Sequence, residues 1–211
     1  MRRVKITDVN DSDNRESWLA LRRQHITATD WPRINGTSRY GNASDVMTNK
    51  LVVHDDDDYV DSLPMRVGKG LEPLIVEKTI RQLGKGDYLS QVFISRKHMG
   101  FTPDLLQINK GKDWALSEIK VSKRKWSGTV PLEVLDQVRY QATVLGIGQV
   151  QVVHLELSSW EEGLEMMRSG TFLTNRLAVY RVEVNEVQRN RIERESERWW
   201  KAHILNAEPL I

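Results

Sequence analysis

The chain contains no cysteine. Disulfides, cysteine-held zinc and iron–sulfur clusters are therefore excluded. It also lacks an excess of charge of either sign: 31 basic residues stand against 29 acidic ones, for a net charge of +2. Such a chain is not a basic nucleic-acid-binding tail, and any DNA-binding surface must come from segregation of its charges. No apolar run approaches the length of a membrane span. Met1-Arg2-Arg3-Val4-Lys5 has no apolar run behind it and does not read as a secretory signal. The expected compartment is the cytoplasm, with no membrane partner. No repeat, low-complexity tract or linker interrupts the chain. With 39% hydrophobic and 28% charged residues over 211 positions, it reads as one globular domain spanning 1–211, long enough for a sizeable core.

One stretch stands out from this ordinary background. Gly100-Phe101-Thr102-Pro103-Asp104 is followed, fourteen positions after the acid, by Glu118-Ile119-Lys120. Residues 114–121 are apolar-rich with partial alternation and read as a strand, on which Glu118 and Lys120 share a face. Leu105, Leu106 and Ile108 suggest a preceding strand, joined to it by a hairpin turn over 109–112. Such a hairpin brings Asp104 beside Glu118. Two adjacent carboxylates repel, and a hard divalent cation with oxygen ligands neutralises them. A lysine beside them can orient a water or stabilise a pentacovalent phosphate. The pattern alone also fits a solvated hairpin with an ion pair.

The rest of the chain supplies context. Short helices are expected over 17–24, 31–35 and 44–51, with Thr29 or Asp30 capping the second. A helix start preceded by Arg22 and Arg23 is either an anion site or a capped surface helix with solvated arginines. Residues 36–42 form a loop, and the acidic run Asp55 to Asp58 with Asp61 reads as a solvated loop lacking the spacing of a calcium site. The strongest helix signal covers 65–83, with Gly84 as its stop and Glu72 among small and apolar neighbours. Met65, seven residues before Glu72, either wedges between the end base pairs of a duplex or staples the helix entry. Residues 88–96 read as a strand, and His98 as a surface or hydrogen-bonded histidine. Lys123-Arg124-Lys125-Trp126 is a basic run with an aromatic, suited to phosphate contact or to a plain surface loop. A helix over 131–145 places Gln137 and Gln141 one turn apart. A strand over 149–157, a short helix or lid over 160–170, a strand over 177–184 and a helix capped by Asn185 and running to about 206 complete the chain, the last two packed on the core or at a subunit interface. Trp199 and Trp200 are expected to pack on the body or on another subunit. The order describes an α/β domain with a central mixed sheet flanked by helices.

Arg22 with Thr27-Ala28-Thr29, Gly68-Lys69 with Glu72, Thr102-Pro103-Asp104, Glu118-Ile119-Lys120, and Gln137-Val138 with Gln141 occur in that order. Together they resemble the lambda exonuclease and YqaJ-type viral recombinase family, of the PD-(D/E)XK nuclease superfamily, over roughly two thirds of the chain. The resemblance implies a restriction-endonuclease-like core and a phage or prophage enzyme of the bacterial cell. It further implies a 5′→3′ exonuclease on double-stranded DNA that prefers 5′-phosphorylated ends, releases mononucleotides and leaves 3′ overhangs. A homotrimeric ring and a single-strand annealing partner are implied as well. By matched positions, Asp104, Glu118 and the Ile119 carbonyl hold two Mg2+ ions, for which Mn2+ can substitute, and Glu72 supports the second. Lys120 positions the attacking water and Gln137 orients this group. Arg22, Thr29 and Thr102 match the terminal-phosphate pocket. Threonine stands at 29 and 102 where serine is frequent in relatives, with the hydroxyl kept. Lys123, Arg124 and Lys125 compete for a further phosphate contact, and Arg39 and Met65 are counted with them as DNA contacts. Two rivals stand beside this reading: an endonuclease or resolvase of the same superfamily, and a non-catalytic DNA-binding or assembly protein.

Overall fold

The computed structural model describes residues 3–9, 15–52, 61–108, 114–171 and 174–206. The first elements are strand β1 (Lys5–Asp8), helix α1 (Arg15–Arg23), strand β2 (Ile26–Thr27), and helices α2 (Trp31–Ile34), α3 (Ala43–Leu51) and α4 (Leu63–Leu83). Strands β3 (Asp87–Leu89), β4 (Val92–Arg96), β5 (Met99–Phe101), β6 (Leu105–Ile108) and β7 (Trp114–Ser122) follow. Helix α5 (Leu132–Leu145), strand β8 (Gln149–Glu156), helix α6 (Trp160–Ser169), strand β9 (Leu177–Glu183) and helix α7 (Glu186–Trp200) complete the fold, with a π-helical turn over Lys201–Leu205. The hairpin turn over 109–112 and the acidic run Asp55 to Asp58 lie outside the described residues.

The strands form two sheets, where the sequence pattern suggests a single central one. The larger is mixed, in the order β3-β6-β7-β8-β9; the smaller runs β1-β4-β5-β2. The division falls inside the segment 88–96 expected as one strand. Gln91 adopts a positive φ of 54°, which turns the chain there. Tyr88 consequently pairs with Gln107 in the larger sheet and Ile94 with Phe101 in the smaller. Strands β1 and β5 carry too few residues for their period to show in the sequence.

Topology follows from connection length. β6 and β7 pair antiparallel, whereas β7 and β8, separated by α5, pair parallel because a parallel partner needs a crossover. Being central, β7 is covered on both faces, and Leu116, Ser117, Glu118 and Ile119 are all buried. The two-residue period of the strand then assigns the faces. Leu116 joins Val138 and Ala142 of α5 in one apolar cluster. Ile119 joins Val67, Leu71 and Ile75 of α4, with Met166 of α6, in the other. Glu118 thus looks towards α5 while α4 and α6 close the opposite face. A glycine lets those two helices approach: a Cβ at Gly70 would lie 2.1 Å from Met167 Cε.

The C-terminal segment packs on the body. Ile192 is buried against the main core, and Trp199 and Trp200 lie half-buried beside it. The Asn185 side chain caps α7 as expected, in a reciprocal box with Gln188.

Candidate active site

The register of the β6–β7 hairpin sets the centre of the site. Leu105 stands opposite Ser117, which places Asp104 next to Glu118 at the mouth of the pair. The Ile119 N–H donates to Asp104 Oδ2 at 2.6 Å. Glu118 is 2% exposed, and donors engage both its oxygens. Oε1 accepts from Lys120 Nζ at 2.6 Å and from Gln137 Nε2 at 2.5 Å. Oε2 accepts from Gln141 Nε2 at 2.7 Å. The sequence pattern singled out Gln137; Gln141, one turn further along α5, does the matching work on the other oxygen.

Charge in this cluster is not balanced. Burial, then the Glu118 charge, push the Asp104 carboxyl well above its ordinary range, with Lys120 opposing. Burial and Glu118 also raise Glu72, which α4 brings near enough to be felt electrostatically. For Lys120, burial favours the neutral amine, but Glu118 and Asp104 outweigh it and the pKa is raised. A surplus of buried negative charge is the condition a divalent cation relieves. Among the described residues no three His, Asp or Glu side chains stand together so as to hold a metal ion by themselves. A pair of carboxylates still suits Mg2+, which takes few protein ligands and completes its shell with water and substrate phosphate.

A second cluster gathers the three residues expected around an anion. Arg22, in the last turn of α1, donates from Nη2 to Thr29 Oγ1 at 3.1 Å. Trp18 Nε1 donates to Thr102 Oγ1 at 3.1 Å, and the Arg22 guanidinium lies 4.7 Å from the Trp18 ring. Trp18, which the sequence offers only as an apolar helix position, therefore ties Arg22 to Thr102. The expected cap on α2 is not formed. Asp30 instead turns back and accepts from Thr27 N at 2.8 Å and Thr27 Oγ1 at 2.7 Å. It also pairs with Lys50 Nζ at 2.7 Å. Burial alone would raise the Asp30 pKa, but Lys50 and Arg22 outweigh it and hold the carboxyl below its ordinary range. Lys50 further donates to the Arg22 carbonyl at 2.6 Å. With α2 only four residues long, positive charge at this place comes from Arg22 and not from a helix end.

A cavity of about 400 Å³ reaches the edge of each cluster, with Thr29 of one and Lys120 and Gln137 of the other in its wall, while Arg22, Thr102, Asp104, Glu118 and Glu72 do not line it. Arg39 and Arg124 also line it, together with Arg33. Of the three basic residues in competition, Arg124 is thus the one at the cavity. Lys123 lies 5.5 Å from the Trp160 ring, and Lys125 is exposed away from the wall. The loop carrying Arg39 is pinned to α5. Asn35 Nδ2 and Thr37 Oγ1 donate to Asp136 Oδ2 at 2.6 and 2.7 Å, and Arg39 Nε sits 3.8 Å from Glu133. Met65 is 40% exposed, two residues after the first residue of α4. A hydrophobic staple would pair the positions of Asp61 and Arg66, both charged, so that alternative drops out. His98 is hydrogen-bonded, as expected, with Nε2 3.1 Å from Ser196 Oγ and its ring stacked on Trp200.

Residues 17–147 match the YqaJ-like viral recombinase domain. Among solved structures, LHK-Exo in complex with dAMP is similar, with a TM-score of 0.64 at 18% identity over 89% of this chain and 91% of that one. The alkaline exonuclease LHK-Exo from Laribacter hongkongensis gives 0.62 at 17% over the same shares. A phage-related exonuclease from Haemophilus somnus 129PT gives 0.61 at 9%, over 85% of this chain and 93% of that one. At these identities the likeness is one of fold. No curated protein matches the chain in sequence.

Proposed function

The chain belongs to the YqaJ-like viral recombinase family, and from that membership and the chemistry of its buried acid pair we propose that it is a Mg2+-dependent 5′→3′ exonuclease. Its substrate in this reading is linear double-stranded DNA with a 5′-phosphorylated end; its products are 5′-mononucleotides and a 3′ single-stranded overhang. The observation that carries the reading is the arrangement around Glu118, with Asp104 beside it and Lys120 and Gln137 on one oxygen.

Each side chain then has a task. Asp104, Glu118 and the Ile119 carbonyl would hold the ions, with Glu72 supporting the second. Mg2+, when bound, would supply Lewis acidity for activating a water and for offsetting charge on the leaving oxygen. Mn2+ substitutes because the donors are oxygens. Lys120 stays protonated beside Glu118 and Asp104, and so can orient the attacking water and face the developing phosphate charge. Gln137 keeps Glu118 in place. Arg22, Thr29 and Thr102 hold the terminal phosphate, whose roughly two charges distinguish an end from an internal linkage. The reading extends to a homotrimeric ring around DNA and to a single-strand annealing protein that takes up the overhang.

The test is digestion of linear duplex and closed circular DNA with Mg2+. Wild type is expected to degrade only the linear form. Asp104→Ala and Glu118→Ala should lose at least about 100-fold in rate while still binding DNA, since Lewis acidity contributes several kcal/mol. Lys120→Ala should lose activity with metal binding kept. Wild-type turnover by Asp104→Ala would remove the site assignment, and cutting of closed circles would favour an endonuclease.

A further inference from the structure

The cavity between Thr29 and Lys120 has two aromatic side chains in its wall, and they are in opposite states. Trp126 is committed to the fold. Its ring stacks on His154 at 3.9 Å with an interplanar angle of 2°, meets Tyr180 at 5.4 Å, and is 8% exposed. Tyr40 is 74% exposed and stacks on no other ring among the described residues. Nor does it sit on a loose tip. The Tyr40 N–H donates to Ser38 Oγ at 3.0 Å, and the neighbouring residues are pinned to α5 through Asp136 and Glu133.

We infer that Tyr40 is the platform on which the base of the 5′-terminal nucleotide stacks when a duplex end enters this cavity. The inference rests on the exonuclease reading of the same site. In that reading the terminal phosphate lies at Thr29 and the scissile phosphate at Lys120, so the sugar and base between them must occupy the space that joins the two. About 400 Å³ falls within the range for a small ligand. The cations of the wall suit phosphates. Of its other polar side chains, Gln137 donates to Glu118 and Ser122 donates to the Arg124 carbonyl, while Glu133 Oε2 lies 3.8 Å from Arg39 without a hydrogen-bond partner. What the wall offers a base is therefore a ring face and few free groups to read a base edge. An enzyme that removes every nucleotide in turn needs such indifference, and stacking supplies it because all four bases have a π-face. A ring held by a pinned loop also loses little freedom on binding, which keeps the contact favourable.

The experiment is equilibrium binding without divalent ion, so that no cleavage occurs. It uses 5′-phosphorylated duplexes whose terminal nucleotide is intact or abasic, and wild-type, Tyr40→Phe and Tyr40→Ala proteins. Wild type is expected to bind the intact end ~5- to ~100-fold more tightly than the abasic end, as one stacked base contributes. Tyr40→Phe should keep that ratio, and Tyr40→Ala should bring it close to one. If Tyr40→Ala keeps the wild-type ratio, or weakens both ends equally, the ring does not hold the base and the inference is overturned. A wild type that binds intact ends no better than duplex without ends, such as closed circles, would instead overturn the exonuclease reading, and the inference with it.

Discussion

Gln141 is 1% exposed and holds Glu118 Oε2 with its amide nitrogen at 2.7 Å, while its own Oε1 is buried without a hydrogen-bond partner. A buried unpaired acceptor costs about 1–3 kcal/mol. That cost is offset by what the nitrogen does: with Lys120 and Gln137 on Oε1, it holds both oxygens of the carboxylate. Groups that hold a metal-binding carboxylate typically alter metal affinity ~10- to 100-fold when removed. Gln141→Leu is accordingly expected to weaken Mn2+ binding, measured by calorimetry, about tenfold or more, with the melting temperature within a few degrees of wild type. Unchanged affinity would mean that Lys120 and Gln137 suffice. Asp104, Glu118 and Lys120 were legible in the sequence because a hairpin and a two-residue period are local rules. Gln141 was visible as a helix neighbour of Gln137 and in the matched motif, but its hold on Glu118 was not, since which face of α5 meets β7 is settled by packing.

Three separate elements build the anion cluster: the last turn of α1, the turn before α2, and the turn after β5. Trp18 and Lys50 tie them together. Arg22 contributes a planar fork suited to phosphate, which a lysine does not reproduce. Arg22→Ala is expected to slow digestion of 5′-phosphorylated duplex ~10- to 100-fold, the scale of a lost charged hydrogen bond or two. It should also largely erase the advantage over 5′-hydroxyl duplex, and Arg22→Lys should recover part of it. The comparison is the digestion rate on both substrates at one fixed salt concentration. Full retention of the phosphate preference in Arg22→Ala would move the pocket to Arg124. The helices of this region were readable in the sequence, although the cap expected on α2 does not form. The turn-back of Asp30 onto Thr27 was not, because the same carboxylate is also drawn by Lys50, which lies on another helix.

At the scale of the molecule, α7 spans the junction between its own sheet and the smaller one. Arg96 on β4 pairs with Glu193 at 2.8 Å and donates to the Thr143 carbonyl of α5 at 3.1 Å. His98 meets Ser196 and Trp200, while His154 on β8 is buried under Trp126. Burial lowers both histidines to about 4 from 6.5; for His98, Glu197 and Glu193 oppose this and Lys97 and Arg96 add to it. Between those values the unfolded chain binds more protons than the folded one, so stability rises with pH. The contribution is complete above about 6.5 and is lost as pH falls towards about 4. Asp104, raised by burial, acts in the opposite direction above its ordinary carboxylate range. The histidine part is isolated by comparing melting temperatures from pH 7.5 to 4.5 for wild type and a His98→Gln, His154→Asn variant. The variant is expected to lose less stability on acidification; parallel curves would show that neither histidine is held neutral by the fold.

Local rules carried much of the chain. The period of 114–121, the turn proline before Asp104, the stripe of α5 and the Asn185 cap are set by neighbours a few positions apart, so composition and spacing suffice to place them. The sequence by itself also determined the acid pair, its lysine and the exclusion of cysteine chemistry. Tertiary structure decided the split into two sheets at Gln91, the reversal of Asp30, the placing of Arg124 rather than Lys123 or Lys125 at the cavity, and the meeting of Tyr40 with Lys120 across it. Each of those depends on contacts between residues far apart in the chain, where the surroundings of a side chain are chosen by how helices and sheets pack and not by its neighbours in sequence.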